Sequence, residues 1–129
     1  MAERGPFPPT LALRCGPIGA VELALYAAAS GDHNPLHLDE AVARGAGFER
    51  PVVHGMLTMA CVARLFTEAF GAAALQTLHT RFTGATLRGD VLLFDATLTE
   101  AEGDEARYTL TGRTEGGQEI VTGSAQVRR

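Results

Sequence analysis

The chain has 129 residues, of which 46% are hydrophobic and 20% are charged, and its formal net charge is -4. This length suits one domain with one core and leaves no room for a second, while the acidic balance argues against nucleic acid and anionic membranes as partners. Two cysteines provide no disulfide framework, and we expect both to be small buried hydrophobes. No stretch has the regions of a signal peptide or the ~20 apolar residues of a transmembrane helix. We therefore expect a soluble, cytoplasmic protein.

The first forty-odd residues carry clear boundary signals. Residues 1–9 are rich in proline and glycine and are expected to form a poorly ordered lead-in to a single domain spanning residues 1–129. Alternating apolar residues over 10–18 predict a strand that Pro17 ends. Residues 20–30 are rich in alanine and leucine, which predicts a helix with Gly31 as its C-terminal glycine. Asp39 is interpreted as the N-cap of a short helix over 40–44.

The stretch 55–70, GMLTMACVARLFTEAF, is apolar on nearly every side of a helical wheel. A helix with that pattern is buried, and Gly71 is its expected end. The large side chains at helical spacing are interpreted as core: Met56, Met59, Phe66 and Phe70.

After residue 71 the hydrophobic period changes from that of a helix to that of a strand. Four strands are predicted, over 76–83, 91–99, 106–114 and 118–127. The joints at 88–90, 102–104 and 115–117 carry turn residues, and such short joints predict antiparallel neighbours. An α+β fold, in which a curled antiparallel sheet wraps around one buried helix, accounts for these elements.

Residues 30–59 carry the chemistry, since they hold three of the four histidines. Asp32 and His37 both serve as acid or base near neutral pH when their environment is tuned. Pro35 lies between them, so no helix face aligns them and the loop must fold back to bring both to one water. Gly55 begins the buried helix, where free N–H groups and the positive end of the helix dipole can stabilise a developing oxyanion. His54 is interpreted as a brace for this turn.

The stretch is similar to the hydratase motif of the MaoC-like family of (R)-specific enoyl-CoA hydratases and (3R)-hydroxyacyl-thioester dehydratases. The resemblance is carried by Tyr26, the run 31–39 (GDHNPLHLD), Gly47-Phe48, Pro51 and the run 54–57 (HGML). It implies the hot-dog fold, with Asp32 and His37 as the catalytic dyad, Asn34 in a supporting role and the Gly55 N–H in the oxyanion hole. It also implies reversible hydration of trans-2-enoyl thioesters to (R)-3-hydroxyacyl thioesters, carried on coenzyme A or acyl carrier protein.

We expect the reaction to use no metal and no redox cofactor, since its proton chemistry is within reach of Asp32 and His37. The resemblance further implies that the chain forms a homodimer. The run Gly-Met-Leu-Thr-Met is also similar to the catalytic subunit of actinobacterial fatty-acid-elongation dehydratases, so a heterodimer with a related hot-dog subunit stays open. Ala63 stands where several hydratases of the family carry a serine, and the auxiliary hydrogen bond of that hydroxyl is absent.

The candidates for substrate contact beyond the dyad are weaker. Phe48 and Phe82 are candidates for an acyl tunnel, although core packing explains them equally well, and His54 and Met56 complete this set. Four arginines are candidates for the phosphates of the carrier, but solvated surface positions are the better interpretation for most of them: Arg44, Arg50, Arg81 and Arg88.

Three alternatives compete with a hydratase. The side chains of Asp32, His33, His37, Asp39 and His54 would suffice for a zinc or iron site, but Pro35 breaks the helix that His33-x-x-x-His37 would need. A hot-dog thioesterase would act on the same ligands, although such enzymes generally lack this loop. A non-catalytic acyl-thioester-binding subunit would have no need of Asp32 and His37.

The remaining histidines carry no predicted chemistry. His33 is assigned a structural or solvent role, and His79 shows no functional signal.

Overall fold

The computed structural model describes residues 5–129. Its elements follow one another along the chain in the order strand, three helices, four strands, with short 3-10 turns before α2 and before β2. Their bounds are β1 Thr10–Cys15, α1 Ala20–Ser30, a 3-10 turn Pro35–His37, α2 Glu40–Gly45, α3 Gly55–Phe70, a 3-10 turn Ala72–Ala74, β2 Leu75–Phe82, β3 Leu92–Glu102, β4 Glu105–Thr114 and β5 Glu119–Arg128.

The five strands form one antiparallel sheet in the order β1-β3-β4-β5-β2. Helix α3 contacts both edge strands, β1 and β2, as well as β3. A straight helix touches both edges of a five-stranded sheet only when the sheet curls around it, so the predicted wrapped architecture is confirmed. The inner sheet residues and the inner face of α3 form one core, with Phe66, Phe94 and Tyr108 among its largest fully buried side chains.

The helix boundaries agree with the local signals in the sequence. Helix α1 ends before Gly31, whose positive φ of 80° is the left-handed conformation that a side chain disfavours. Asp39 caps α2 by accepting hydrogen bonds from the N–H groups of Ala41 and Val42 at 2.8 and 3.1 Å. Helix α3 spans 55–70, as predicted, and α2 extends one residue further than predicted.

One predicted strand neighbour is wrong. The turn at 88–90 was expected to join antiparallel neighbours, but β2 pairs with β5 and β3 pairs with β1. The segment between β2 and β3 does not form a tight hairpin; it crosses to the loop before α3, where Leu87 bridges to Val52 and the Arg88 N–H donates to the Pro51 carbonyl at 2.8 Å. This segment thereby holds the chain that leads into α3.

The expected burial of α3 is correct for one face only. Thr58, Cys61, Val62, Leu65 and Phe66 are buried. Met56, assigned to the core, is instead 60% exposed. An apolar helical wheel does not distinguish a core face from an apolar face that this chain leaves open.

The two ends of the described chain lie against the domain. Residues 1–4 of the expected lead-in lie outside the described residues, whereas Phe7 is buried and packs edge-on against Phe70 with ring centroids 5.9 Å apart. The Tyr108 hydroxyl donates to the Pro8 carbonyl at 2.8 Å, so packed structure begins before residue 9. Within residues 5–129, no helix is long and apolar enough to cross a lipid bilayer.

Candidate active site

The loop after α1 folds back through a capped 3-10 turn. Asn34 is its N-cap, since its side-chain oxygen accepts from the Leu36 N–H at 3.0 Å, and Pro35 occupies the first position, where its missing N–H costs nothing. The turn ends at His37 and brings its Nε2 atom to 3.5 Å from the Oδ2 atom of Asp32. Asp32 and His37 are therefore together, and Asn34 acts through the loop conformation.

A backbone carbonyl orients the His37 ring. The Nδ1 atom lies 2.7 Å from the carbonyl oxygen of Val52, which only accepts hydrogen bonds, so Nδ1 carries the proton and donates. In the neutral ring, Nε2 is then an acceptor that faces a second acceptor, the Asp32 carboxylate. The two groups do not bond to each other in this state. A water placed over both can donate one O–H to each of them.

The two members of the pair differ in exposure. The side chain of His37 is 12% exposed, whereas that of Asp32 is 51% exposed. The other oxygen of the Asp32 carboxylate, Oδ1, accepts a long hydrogen bond of 3.4 Å from the Asn34 N–H. Asp32 thus also forms the Asx-type turn that is its purely structural interpretation, and the two roles use different oxygens of one carboxylate.

His54 lies behind the pair and is almost fully buried, with 2% of the residue exposed. Its ring stacks on that of His37 with centroids 3.9 Å apart and an interplanar angle of 22°. The Tyr26 ring meets it edge-on at 4.7 Å. Its Nε2 atom lies 3.1 Å from the Asp32 carbonyl oxygen.

Gly55 is the first residue of α3, directly after His54. The N–H groups of Leu57 and Thr58 both donate to the His54 carbonyl, at 3.0 and 3.1 Å. The Gly55 N–H precedes these bonds and is one of the donors that a helix N-terminus leaves without an intrahelical acceptor. This donor lies at the positive end of a 16-residue helix.

A cavity of about 270 Å³ opens beside these groups. It is lined by His37 and Gly55 and by mostly apolar neighbours, including Val52, Val53, Thr58, Phe82 and Ala85. Larger depressions lie elsewhere. The one around His79 is lined mostly by polar side chains, and neither Asp32 nor His37 is among its lining residues. The cavity at His37 combines a mostly apolar lining with a ring nitrogen and a helix N-terminus, which suits an acyl thioester.

The weaker candidates divide into those near the cavity and those outside it. Phe82 lines it, whereas Phe48, His54 and Met56 are not among its lining residues. Arg44 and Arg88 pair with Glu40, and Arg50 pairs with Asp90. Arg81 is exposed on β2.

The Val52 carbonyl and the stacking of His37 on His54 were absent from the sequence interpretation, because a backbone acceptor and a packing contact have no signature in the residue types.

Three of the five residues considered for a metal site cluster. One possible ligand atom from each of Asp32, His37 and His54 lies within 4.8 Å of the others. His37 Nδ1 and His54 Nε2 are engaged by carbonyl oxygens, which leaves one nitrogen on each of two nearly parallel rings. Nitrogen lone pairs lie in the ring plane, so those of stacked rings do not converge on one ion at the ~2.0–2.1 Å of a zinc–nitrogen bond. The cluster fits a metal poorly.

Comparisons with known proteins agree on one group. A family model described as a MaoC like domain matches residues 9–117. The (R)-specific enoyl-CoA hydratase of Aeromonas caviae is 40% identical over 119 residues, which cover 85% of each chain. A solved (R)-hydratase from A. caviae, involved in PHA biosynthesis, has a TM-score of 0.83 at 34% identity over 92% of both chains. The unliganded R-hydratase of Pseudomonas aeruginosa has a TM-score of 0.84 at 28% identity, over 92% of this chain and 78% of that one. The expected hot-dog fold is confirmed.

Proposed function

The chain belongs to the MaoC-like domain family, and from this premise we propose that it is a hydro-lyase that reversibly hydrates trans-2-enoyl thioesters to (R)-3-hydroxyacyl thioesters. The observation that carries the proposal is the pair of acceptors, His37 Nε2 and Asp32 Oδ2, 3.5 Å apart beside a mostly apolar cavity. The substrate is carried on coenzyme A or acyl carrier protein.

The site must activate a water, stabilise the negative charge on the thioester oxygen and deliver a proton to C2. Asp32 and His37 hold the water through its two protons, and one of them takes a proton as the water oxygen attacks C3 of the enoyl group. Negative charge then develops on the thioester oxygen, and the Gly55 N–H at the start of α3 stabilises it. A proton from the same pair reaches C2, which completes the addition of water.

The residues around Asp32 and His37 support these proposed roles. The Val52 carbonyl holds the tautomer of His37 in which Nε2 is free to accept. Asn34 holds the turn. The acyl chain occupies the cavity, where Phe82 and Ala85 contact it.

We also propose that the chemistry uses no cofactor and no metal, because proton transfer by two side chains, with a backbone N–H that stabilises the oxyanion, accounts for every bond made and broken. The cysteines are both free and buried, as in a reducing compartment, and we assign the enzyme to the cytoplasm. Hydration that is unchanged after treatment with EDTA would support a metal-free reaction, and metal-dependent activity would contradict it.

A homodimer is the proposed assembly. Strand β2 lies at a sheet edge, and its Phe82 is 45% exposed. Other large apolar side chains are also open, with Val21 at 69%, Leu25 at 65% and Met56 at 60% exposed. An open edge and exposed apolar side chains both favour association. Light scattering of the purified chain should give twice the monomer mass of 13.6 kDa; a monomer that dimerises only with a related subunit would favour the heterodimer.

The direct test of the activity is a stereochemical one. Purified protein is given crotonyl-CoA, loss of the enoyl absorbance is followed, and the product is oxidised by dehydrogenases specific for (R)- or (S)-3-hydroxyacyl-CoA. The proposal predicts hydration with a product that only the (R)-specific enzyme oxidises. An (S) product would contradict it, and release of free coenzyme A without hydration would identify a thioesterase.

A further inference from the structure

We infer that His54 is a positioning residue for the proposed hydration, on which this inference rests. Its buried ring holds both members of the acid–base pair against the N-terminus of α3. The ring stacks on His37, and its Nε2 atom reaches the backbone of Asp32 at 3.1 Å. Its own carbonyl receives the first two hydrogen bonds of α3.

The partner of Nε2 determines the tautomer of the neutral ring. The Asp32 carbonyl oxygen only accepts, so Nε2 carries the proton and donates. Nδ1 is then an unprotonated acceptor, and it is buried without a hydrogen-bond partner among residues 5–129. His54 therefore donates to the Asp32 backbone and leaves proton transfer to the side chains of Asp32 and His37.

This arrangement joins three parts of the site through one side chain. The hydrogen bond holds the chain at Asp32, the stacked face limits the tilt of His37, and the backbone of His54 leads directly to the Gly55 donor. The Tyr26 ring also contacts the His54 ring, with an interplanar angle of 63°. A displacement of about 1 Å in a reacting group can cost on the order of 100-fold in rate, so loss of either contact should lower kcat.

Two substitutions separate the two contacts. His54→Phe keeps an aromatic face for His37 but removes the donor to Asp32, whereas His54→Gln keeps an N–H donor but removes the ring. We expect each variant to lower kcat for crotonyl-CoA by about tenfold or more, with KM changed by less than about threefold, since positioning acts on the reacting groups rather than on ground-state binding. Thermal unfolding and circular dichroism show whether the variants are folded.

A double-mutant cycle distinguishes positioning from general structural support. If His54→Phe acts through Asp32, adding it to Asp32→Asn should cost far less than it costs in the parent chain. The same fold loss in both backgrounds would show a merely structural role and overturn the inference, as would full activity of both single variants.

One readout does not depend on activity. Nitrogen-15 spectra of the histidine side chains in the parent at pH 8 should show His54 as the Nε2–H tautomer and His37 as the Nδ1–H tautomer. An Nδ1–H tautomer at His54 would overturn the inference even if the parent did not hydrate crotonyl-CoA. An inactive parent with the expected tautomers would instead locate the failure in the proposed function, leaving the hydrogen bond of His54 to Asp32 supported.

Discussion

The Nε2 atom of His37 lies 3.5 Å from the Oδ2 atom of Asp32, although a proline separates the two residues in the chain. That proline is part of the cause, because it opens the 3-10 turn that returns the chain toward Asp32. The Val52 carbonyl then orients the ring so that Nε2 faces the carboxylate. The pair thus depends on a turn that is local and on an acceptor that is distant in sequence.

Substitution of Gly55 tests the oxyanion donor. A Cβ at this position would meet its nearest atom, Phe82 Cε2, at 3.6 Å, which is an ordinary contact. Gly55→Ala should therefore fold with unchanged or slightly higher stability, since alanine is the better helix former. Hydration of crotonyl-CoA should fall by about 10²-fold or more, because the methyl group would obstruct the approach of the thioester to the N–H. Activity within twofold of the parent would show that the Gly55 N–H does not form the oxyanion hole.

Enlarging Ala85 tests whether the acyl chain occupies the cavity at His37. Ala85 lines that cavity, and a leucine there would fill part of it. We expect Ala85→Leu to lower kcat/KM for trans-2-octenoyl-CoA by about tenfold more than for crotonyl-CoA, because a few methylene groups in an apolar pocket decide discrimination of this size. Ala24→Leu, on the exposed side of α1, is the control and should leave the ratio unchanged. An unchanged ratio in Ala85→Leu would show that the chain binds elsewhere.

Gly112 on β4 leaves room for the side chains of its partners on the two neighbouring strands, Phe94 and Val121. A Cβ there would lie 2.6 Å from both Phe94 Cδ1 and Val121 Cγ1, well inside contact distance. Gly112→Ala should therefore destabilise the fold by ~1–3 kcal/mol through overpacking. Gly116→Ala is the matched control, since its Cβ would meet nothing closer than Thr114 Oγ1 at 3.8 Å. Urea unfolding should separate the two variants, and equal midpoints would contradict this packing.

The Cys61 thiol gives a pH-dependent prediction. Burial, together with the neighbouring Cys15, raises the pKa of Cys61 from 9.0 to about 12. At pH 8 the folded protein should resist alkylation at Cys61, whereas the unfolded chain should react readily, because the thiolate is the nucleophile. The raised pKa also means that the unfolded chain releases this proton first. The free energy of unfolding should then fall as the pH rises above about 9, and less steeply in Cys61→Ala. Rapid native labelling would show that the thiol is accessible.

The sequence predicted local structure well where glycine and capping residues mark the boundaries. Gly31, Asp39 and Gly71 predicted helix boundaries that agree with the structure, because their signals act within a few residues. The predicted pairing of β2 with β3 was wrong, since strand pairing is decided by contacts between distant segments and the chain from 83 to 91 is too long to impose a hairpin. Met56 was assigned to the core because its apolarity is the same whether it packs inside the chain or faces outward.

In the candidate site, too, the sequence indicated the residues but not the contacts between distant segments. The resemblance indicated Asp32, His37 and Gly55 as the reacting groups. Residue types alone did not reveal that the Val52 carbonyl selects the tautomer of His37 or that His54 stacks behind it. Both contacts join segments that meet only in the folded chain.

Hydration of crotonyl-CoA by the parent and by Asp32→Asn under the same conditions tests the proposed acid–base pair. The asparagine keeps a side-chain oxygen that can accept from the Asn34 N–H, as Oδ1 of Asp32 does now, so the loop should be preserved. General acid–base catalysis contributes roughly 10²–10⁴-fold. The parent should therefore hydrate the substrate, and the variant should lose activity by a factor in this range. A variant as active as the parent would show that the Asp32 carboxylate is structural and that the proposed acid–base pair is wrong.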